Sequence, residues 1–197
     1  RSYCPVCNTT LHWYDNIPVL SWLLLKGKCR SCKTPITVKY PLIELTTGAA
    51  SLLSFTSYGE TPTGVVVFIF CCSLIVISFI DFDHFIIPNR ITFPAFFISI
   101  GIVALNYFTH LFEYPIVSDP MDAVWGFMAG AGFLWSVATA YLFLTKKDGL
   151  GLGDVKLLAY TGVLFGPQCA LFTIFIGSIF GCVGAVFRLI CTKESIR

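Results

Sequence analysis

Charge is what this chain has least of. Aspartate, glutamate, lysine and arginine make up 12% of its 197 residues, about half of the ~25% found in a water-soluble domain. So thin a polar complement, beside a 56% hydrophobic content, argues against a wholly soluble globule. The net charge of +2 is too slight to gather a polyanion, and no nucleic-acid partner is expected. The basic, apolar and small-residue succession of a secretory signal is missing from the start, which is Arg1 rather than Met. The chain is therefore read as a fragment of a longer protein. Internal repeats and low-complexity segments are also lacking. In "KKDGLGLGDVKLL" (146–158), Asp rather than Lys-Ser/Thr follows Gly153, which excludes a Walker-type phosphate loop.

The shortage of charge is local. Residues 1–40 hold six of the thirteen basic residues (Arg1, Lys26, Lys28, Arg30, Lys33, Lys39) and four of the nine cysteines. From Pro41 onward, apolar runs follow one another at approximately 41–58, 64–80, 91–108, 121–144, 157–168 and 169–190. A membrane-spanning helix needs about 20 such residues. "GVVVFIFCCSLIVISFI" and "MDAVWGFMAGAGFLWSVATAYLFL" meet that need, whereas "PLIELTTGAASLLSFTSY" is weakened by Glu44 and several hydroxyls. "GPQ" at 166–168 interrupts the last two runs, which form either a hairpin or one kinked pair. The expected fold is an all-α polytopic membrane protein. About six transmembrane helices (41–197) follow a small soluble module (1–40), and the lipid bilayer is the obligatory partner.

Six spans put 1–40, 81–90, 145–156 and the tail from Arg188 on one side of the membrane. Those segments contain all thirteen basic residues, and the opposite loops "GETPTG" and "THLFEYPIVSD" contain none. The positive-inside rule makes the basic side the cytoplasm. An odd number of spans would break this segregation.

"CPVC" at 4–7 and "CRSC" at 29–32 are two knuckles separated by 21 residues. Four thiolates in this arrangement suit a tetrahedral zinc ion with Zn–S near ~2.3 Å. Two disulfides or free thiols are the alternatives, and the reducing cytoplasm disfavours the first. Cys4, Cys7, Cys29 and Cys32 are thus expected to hold a structural zinc, since four cysteines leave no open coordination position. A module this short has too little core to fold without such a staple. Cys71, Cys72, Cys169, Cys182 and Cys191 lie in or beside apolar runs, as packing residues do.

Acidic residues stand at two junctions on the cytoplasmic side. "SFIDFDHFIIPN" puts Asp81 directly after an apolar run, with Asp83 and His84 beyond it, and "GLGLGDVKLL" puts Asp154 at the lip of another. Taken singly, Asp154 is a helix N-cap, and Asp81 and Asp83 are polar punctuation before Pro88. An ionised aspartate at membrane depth costs about 2.5–3.5 kcal/mol, so acids kept there need compensation. Two that meet at one membrane face make a dyad able to share a proton and activate water. Helix-end electrostatics would make Asp154 the base and Asp81 the proton-bearing partner. Glycines 151 and 153 allow close backbone approach. A proton- or ion-coupled transporter is the competing class, although transport acids sit near the midplane. A non-enzymatic assembly component docking through its cysteine module would leave the aspartates idle.

"CPVC", "WYDNIPVLSWLLLKGKCRSCKTPI", "YPLIELTTG", "IDFDHFIIPNRIT" and "GLGLGDVKLL" together resemble the type IV prepilin peptidase family, membrane aspartyl proteases of the GxGD type. The resemblance runs in order over nearly the whole chain. It implies cleavage of the basic leader of type IV prepilins and related pseudopilins at the cytoplasmic face of a bacterial inner membrane. In bacterial members, methylation of the new N-terminus with S-adenosylmethionine follows. The family's catalytic aspartates match Asp81, seven residues before Pro88, and Asp154, with Asp83 the weaker candidate for the first. Its zinc cysteines match Cys4, Cys7, Cys29 and Cys32. Glu44 and Gly48 are candidates for contact with the methyl donor or the substrate amine. The family's first membrane helix and the turn before the cysteine module have no counterpart here, and its last membrane segment is curtailed after Arg197. Methylation is implied by the resemblance alone, because the chain has no readable glycine-rich methyltransferase fingerprint.

Overall fold

The computed structural model describes residues 2–146 and 151–192. Among these residues seven helices follow one another: α1 (Leu20–Leu24), α2 (Lys39–Tyr58), α3 (Pro62–His84), α4 (Asn89–Thr109), α5 (Pro120–Phe127), α6 (Phe133–Thr145) and α7 (Leu152–Thr192). A π-helical stretch, Met128–Gly132, joins α5 to α6 without a break. Two compact units, Arg1–Ser78 and Phe79–Arg197, divide the chain within α3.

In the first unit, the isolated bridges Tyr3↔Thr10 and Lys28↔Pro35, a 3-10 turn at Trp13–Asn16 and α1 make up the N-terminal module. Gly27 has φ +68°, and a Cβ there would come within 2.8 Å of the Trp22 ring. Trp22 Nε1 donates to the carbonyl of Ile36 at 3.0 Å, so the indole ties two strands of loop together. α2 ends at Gly59 (φ 62°), whose N–H reaches back to Phe55 O. Thr61 then shapes the turn into α3: its hydroxyl donates to Tyr58 O at 2.9 Å and accepts from the Gly64 N–H at 3.2 Å. Proline at the first position of α3 suits a site whose N–H has no helical partner. Only Thr63, Gly64 and Ile77 of α3 are buried. A helix apolar on every side yet so little buried by protein is one that faces lipid.

Four elements among the described residues are long and apolar enough to cross a membrane: α3, α4, α5 through α6, and α7 to Gly184. α2, with 20 residues, has the length, but its hydroxyls and Glu44 leave it short of the same apolarity. The fifth and sixth expected runs are two helical segments, 152–165 and 167–192, that meet at Gly166 (φ 81°, ψ −178°), where the helical geometry breaks before Pro167. Gly130 lies against both Leu158 and Ala170, on either side of the break, so the pair is a hairpin. α7 begins at Leu152 rather than near 157. The earlier start follows from the first turn of a helix, whose free N–H groups tolerate polar residues and favour an acid.

The second unit is built around the first half of α7. Leu158, Ala159, Tyr160, Thr161, Val163, Leu164 and Ala170 are buried there. α5 and the π stretch meet it backbone to backbone through two glycine pairs spaced four apart, Gly126/Gly130 and Gly162/Gly166. A Cβ on Gly126 would collide with Gly162 O, and one on Gly130 would lie 2.8 Å from Leu158 O. Small residues at this spacing let membrane helices approach closely. Val103, Val117, Ala123 and Val163 form the buried cluster beside this contact, with Phe96 packed on it. Asn106, fully buried, donates to Val117 O at 3.1 Å and accepts from the Phe112 N–H at 2.8 Å, tying the 110–119 loop to α4.

Candidate functional site

Each CxxC knuckle is folded by its own backbone. Cys4 N–H donates to Thr9 O at 3.0 Å and Asn8 N–H to Cys4 O at 2.8 Å; Cys29 and Lys33 repeat these bonds with Thr34 O at 2.9 Å and Cys29 O at 3.1 Å. Asn8 (φ 54°) and Lys33 (φ 59°) occupy the same left-handed position. The two knuckles are thus one motif used twice, although the sequence carries no repeat visible to inspection. Thr9 and Thr34 belong to it as well, with Cys7 Sγ 3.3 Å from Thr9 Oγ1 and Cys32 Sγ 3.1 Å from Thr34 Oγ1. Sequence reasoning missed these threonines, and the only signal for them was their shared place two residues after the second cysteine.

All four sulfurs lie within 4.8 Å of one another, and Cys4 Sγ and Cys32 Sγ are 3.8 Å apart. Sulfurs at ~2.3 Å from a central tetrahedral ion stand about 3.8 Å from each other, so the residues present fit a metal. Hydrogen bonds from the Thr34 hydroxyl and backbone lower the Cys32 thiol to about 6. Those from Thr9 lower Cys7. Both favour the thiolate that a metal needs. The Arg30 guanidinium grips Asp15 with Nε and Nη2 at 3.0 and 2.7 Å to Oδ1 and lies 5.2 Å from the centre of the Tyr14 ring. That pair joins the second knuckle to the 3-10 turn.

The aspartates lie in the second unit. Asp81, Asp83 and His84 occupy the last turn of α3. The chain then reverses at Phe85 (φ 54°), whose N–H donates to Asp81 O at 2.7 Å, and re-enters helix after Pro88, whose carbonyl accepts from Ile91 and Thr92. The first turn of α7 packs on this reversal. A Cβ on Gly153 would stand 2.9 Å from Ile87 Cβ. Lys156 Nζ donates to Asn89 Oδ1 at 2.8 Å and sits 5.2 Å from the centre of the Phe93 ring. Asp154 is the third residue of α7, inside the first turn rather than at the N-cap. Asp81 and Asp154 are both exposed, and Asp81 is close enough for its charge to act on Asp154. Residues 147–150 of the glycine-rich stretch lie outside the described residues.

Glu44 and Gly48 belong to the other unit and are described by themselves. In the first unit, one carboxylate oxygen of Glu44 accepts the Val19 N–H at 2.6 Å. Val19 has φ 60° and ψ −49°, a costly conformation for a β-branched residue, so Glu44 holds a strained loop in place. Gly48 faces open space, with nothing within 4 Å of a Cβ built on it. Of the other cysteines, Cys71, Cys72 and Cys169 are partly buried and Cys182 is exposed; the Cys191 side chain lies outside the described residues.

Comparison with known proteins matches residues 1–58 to a bacterial peptidase A24 N-terminal domain and residues 68–186 to the type IV leader peptidase family. A prepilin leader peptidase/N-methyltransferase of Stutzerimonas stutzeri is 35% identical over 196 residues, covering 99% of this chain and 65% of that protein. Proteins of the same name from Aeromonas hydrophila and Neisseria gonorrhoeae are each 36% identical, over 92% and 94% of this chain and 59% and 62% of their own lengths. The chain thus spans less than two thirds of these relatives. No solved structure matches it.

Proposed function

This chain belongs to the type IV leader peptidase family, and from that premise we propose that it cleaves the leader peptides of type IV prepilins and pseudopilins with Asp81 and Asp154 as the catalytic pair. It is a multi-pass inner-membrane protein. The observation that carries the proposal is the packing of the first turn of α7 on the reversal after Asp81, with Asp154 in electrostatic reach of Asp81. One carboxylate takes a proton from water, which attacks the scissile carbonyl, while the other, protonated, gives its proton to the carbonyl oxygen. Collapse of the tetrahedral intermediate then delivers a proton to the leaving amine. Two acids at adjacent helix ends suit a substrate that crosses the interface better than an ion held at the midplane.

The rest of the proposal divides the chain by chemistry. Residues 1–40 form a cytoplasmic module in which Cys4, Cys7, Cys29 and Cys32 would hold a structural zinc, and residues 41–197 form the membrane peptidase domain. The basic residues support this sidedness. The relatives' names join peptidase to N-methyltransferase, so methylation of the new N-terminus with S-adenosylmethionine is part of the reading. Glu44 and Gly48 are its candidate contacts, and Glu44 already commits one carboxylate oxygen to Val19.

The test is incubation of the full-length protein in lipid with a leader-bearing pilin, read by mass spectrometry of the pilin N-terminus. Asp81→Asn and Asp154→Asn should each abolish cleavage and leave membrane insertion intact, while Asp83→Asn is milder. Near wild-type processing by either of the first two variants refutes the dyad.

A further inference from the structure

We propose that Lys156 and Asn89 form a clamp that sets the separation of Asp81 and Asp154, so that Lys156 is a positioning residue; the inference rests on the dyad reading above. On a helix of 3.6 residues per turn, Lys156 points about 200° around the axis from Asp154. It therefore serves a different face of α7. Its ammonium is spent on a hydrogen bond of 2.8 Å to Asn89 Oδ1, across 67 residues of sequence, and on the face of Phe93. A lysine at a membrane edge ordinarily extends toward headgroup phosphates. This one turns onto the protein.

The partners explain what the turn accomplishes. Asn89 is the first residue of α4 and Phe93 lies one turn further on, directly after the reversal that begins at Asp81. Gly153, next to Asp154, meets Ile87 in the same reversal. Three contacts on either side of Asp154 thus pin one turn of α7 to one short segment of chain. Each of the two aspartates is within eight residues of a clamped position. Two carboxylates that share a proton must be held to a fraction of an ångström, and a displacement of about 1 Å costs on the order of 10²-fold in rate. The clamp supplies that constraint without touching substrate.

The experiment measures kcat and KM of the full-length protein in lipid on a leader-bearing peptide for Lys156→Met, Asn89→Leu, the double variant and Lys156→Arg. Amide hydrogen exchange over residues 156–159, whose N–H groups bond the carbonyls of the first turn, is followed in parallel. Each single change should lower kcat by roughly 10–100-fold with KM within about threefold. The double should be no worse than the poorer single, and Lys156→Arg, which restores a donor, should recover most of the loss. Exchange at 156–159 should quicken about tenfold in Lys156→Met, with residues beyond Leu164 unchanged. Independent, additive losses overturn the clamp, as does a change in KM alone or unchanged kcat and exchange. The dyad fails by a different sign, cleavage retained in Asp154→Asn. In that event the exchange data still decide whether Lys156 fastens the turn.

Discussion

Replacing Gly153 by alanine adds one methyl group at the tightest point of the candidate site. That methyl would stand 2.9 Å from Ile87 Cβ and 3.2 Å from its Cγ1 and Cδ1. Carbon atoms rest at about 3.5–4.0 Å, so the nearest contact is short by about 0.6–1.1 Å. Cβ moves only with the backbone, and a new rotamer at Ile87 cannot relieve it. The first turn of α7 must lift off the reversal, taking Asp154 with it. Overpacking of this kind costs about 1–3 kcal/mol. Alanine returns up to ~1 kcal/mol through its better helix propensity, so stability should fall by no more than about 3 kcal/mol. A displacement approaching 1 Å between paired carboxylates should lower kcat by about 10²-fold. Gly151→Ala is the control: among described residues its Cβ meets only Asp154 Oδ2 at 3.8 Å and Gly153 N at 4.0 Å, an ordinary contact, and activity should stay within about threefold. Ile87→Ala in the Gly153→Ala background removes Cγ1 and Cδ1 but keeps Cβ, so the rescue should be partial. The assay is cleavage of a leader-bearing pilin by full-length protein, with thermal unfolding recorded alongside. Equal losses in Gly151→Ala and Gly153→Ala, or none in either, refute the steric argument.

The four sulfurs should bind about one zinc per chain, measured by elemental analysis, and Cys4→Ser or Cys32→Ser should release it and unfold residues 1–40 while the membrane helices persist; a metal-free preparation with intact thiols and a folded module would contradict this. The Arg30–Asp15 pair should make a small contribution to the stability of the N-terminal module, since the Asp15 side chain is 4% exposed but that of Arg30 is 49% exposed and screened by solvent. Arg30 holds the Asp15 carboxyl below its usual range, so the contribution is complete above the unfolded value of about 3.9 and is lost as pH falls through the lower folded value. The stability gap between wild type and Asp15→Asn, followed by tryptophan fluorescence, should therefore be the same at pH 7 and pH 5. A gap that closes over that interval would show that Asp15 is not what Arg30 stabilises.

Much of this protein was determined by composition and local spacing. Long apolar runs oblige helices, because in lipid each backbone N–H and C=O must be satisfied within its own segment, and α2 to α6 lie close to where those runs stand. Two cysteines three apart close a knuckle on their own backbone, so the four-cysteine cluster was legible as well. Acids at the ends of apolar runs were conspicuous because their cost in a membrane is high. Other features depend on partners distant in sequence. Gly126 and Gly162 are ordinary glycines in two apolar runs until the helices meet. Glu44, weighed as a ligand to a methyl donor, turns its carboxylate to a strained valine 25 residues earlier. Whether Asp154 or Asp81 serves as base follows from helix ends alone only if the two charges ignore each other, and in the fold Asp81 acts on Asp154. Lys156 is the plainest case. Its sequence context, a basic residue at a membrane edge, suits a headgroup contact, and only the approach of α4 offers Asn89 as a partner. Residue type and periodicity determined which segments enter the bilayer, because that choice is made segment by segment against solvent. Tertiary structure alone decided which polar groups at their ends face one another, because that choice is made between segments.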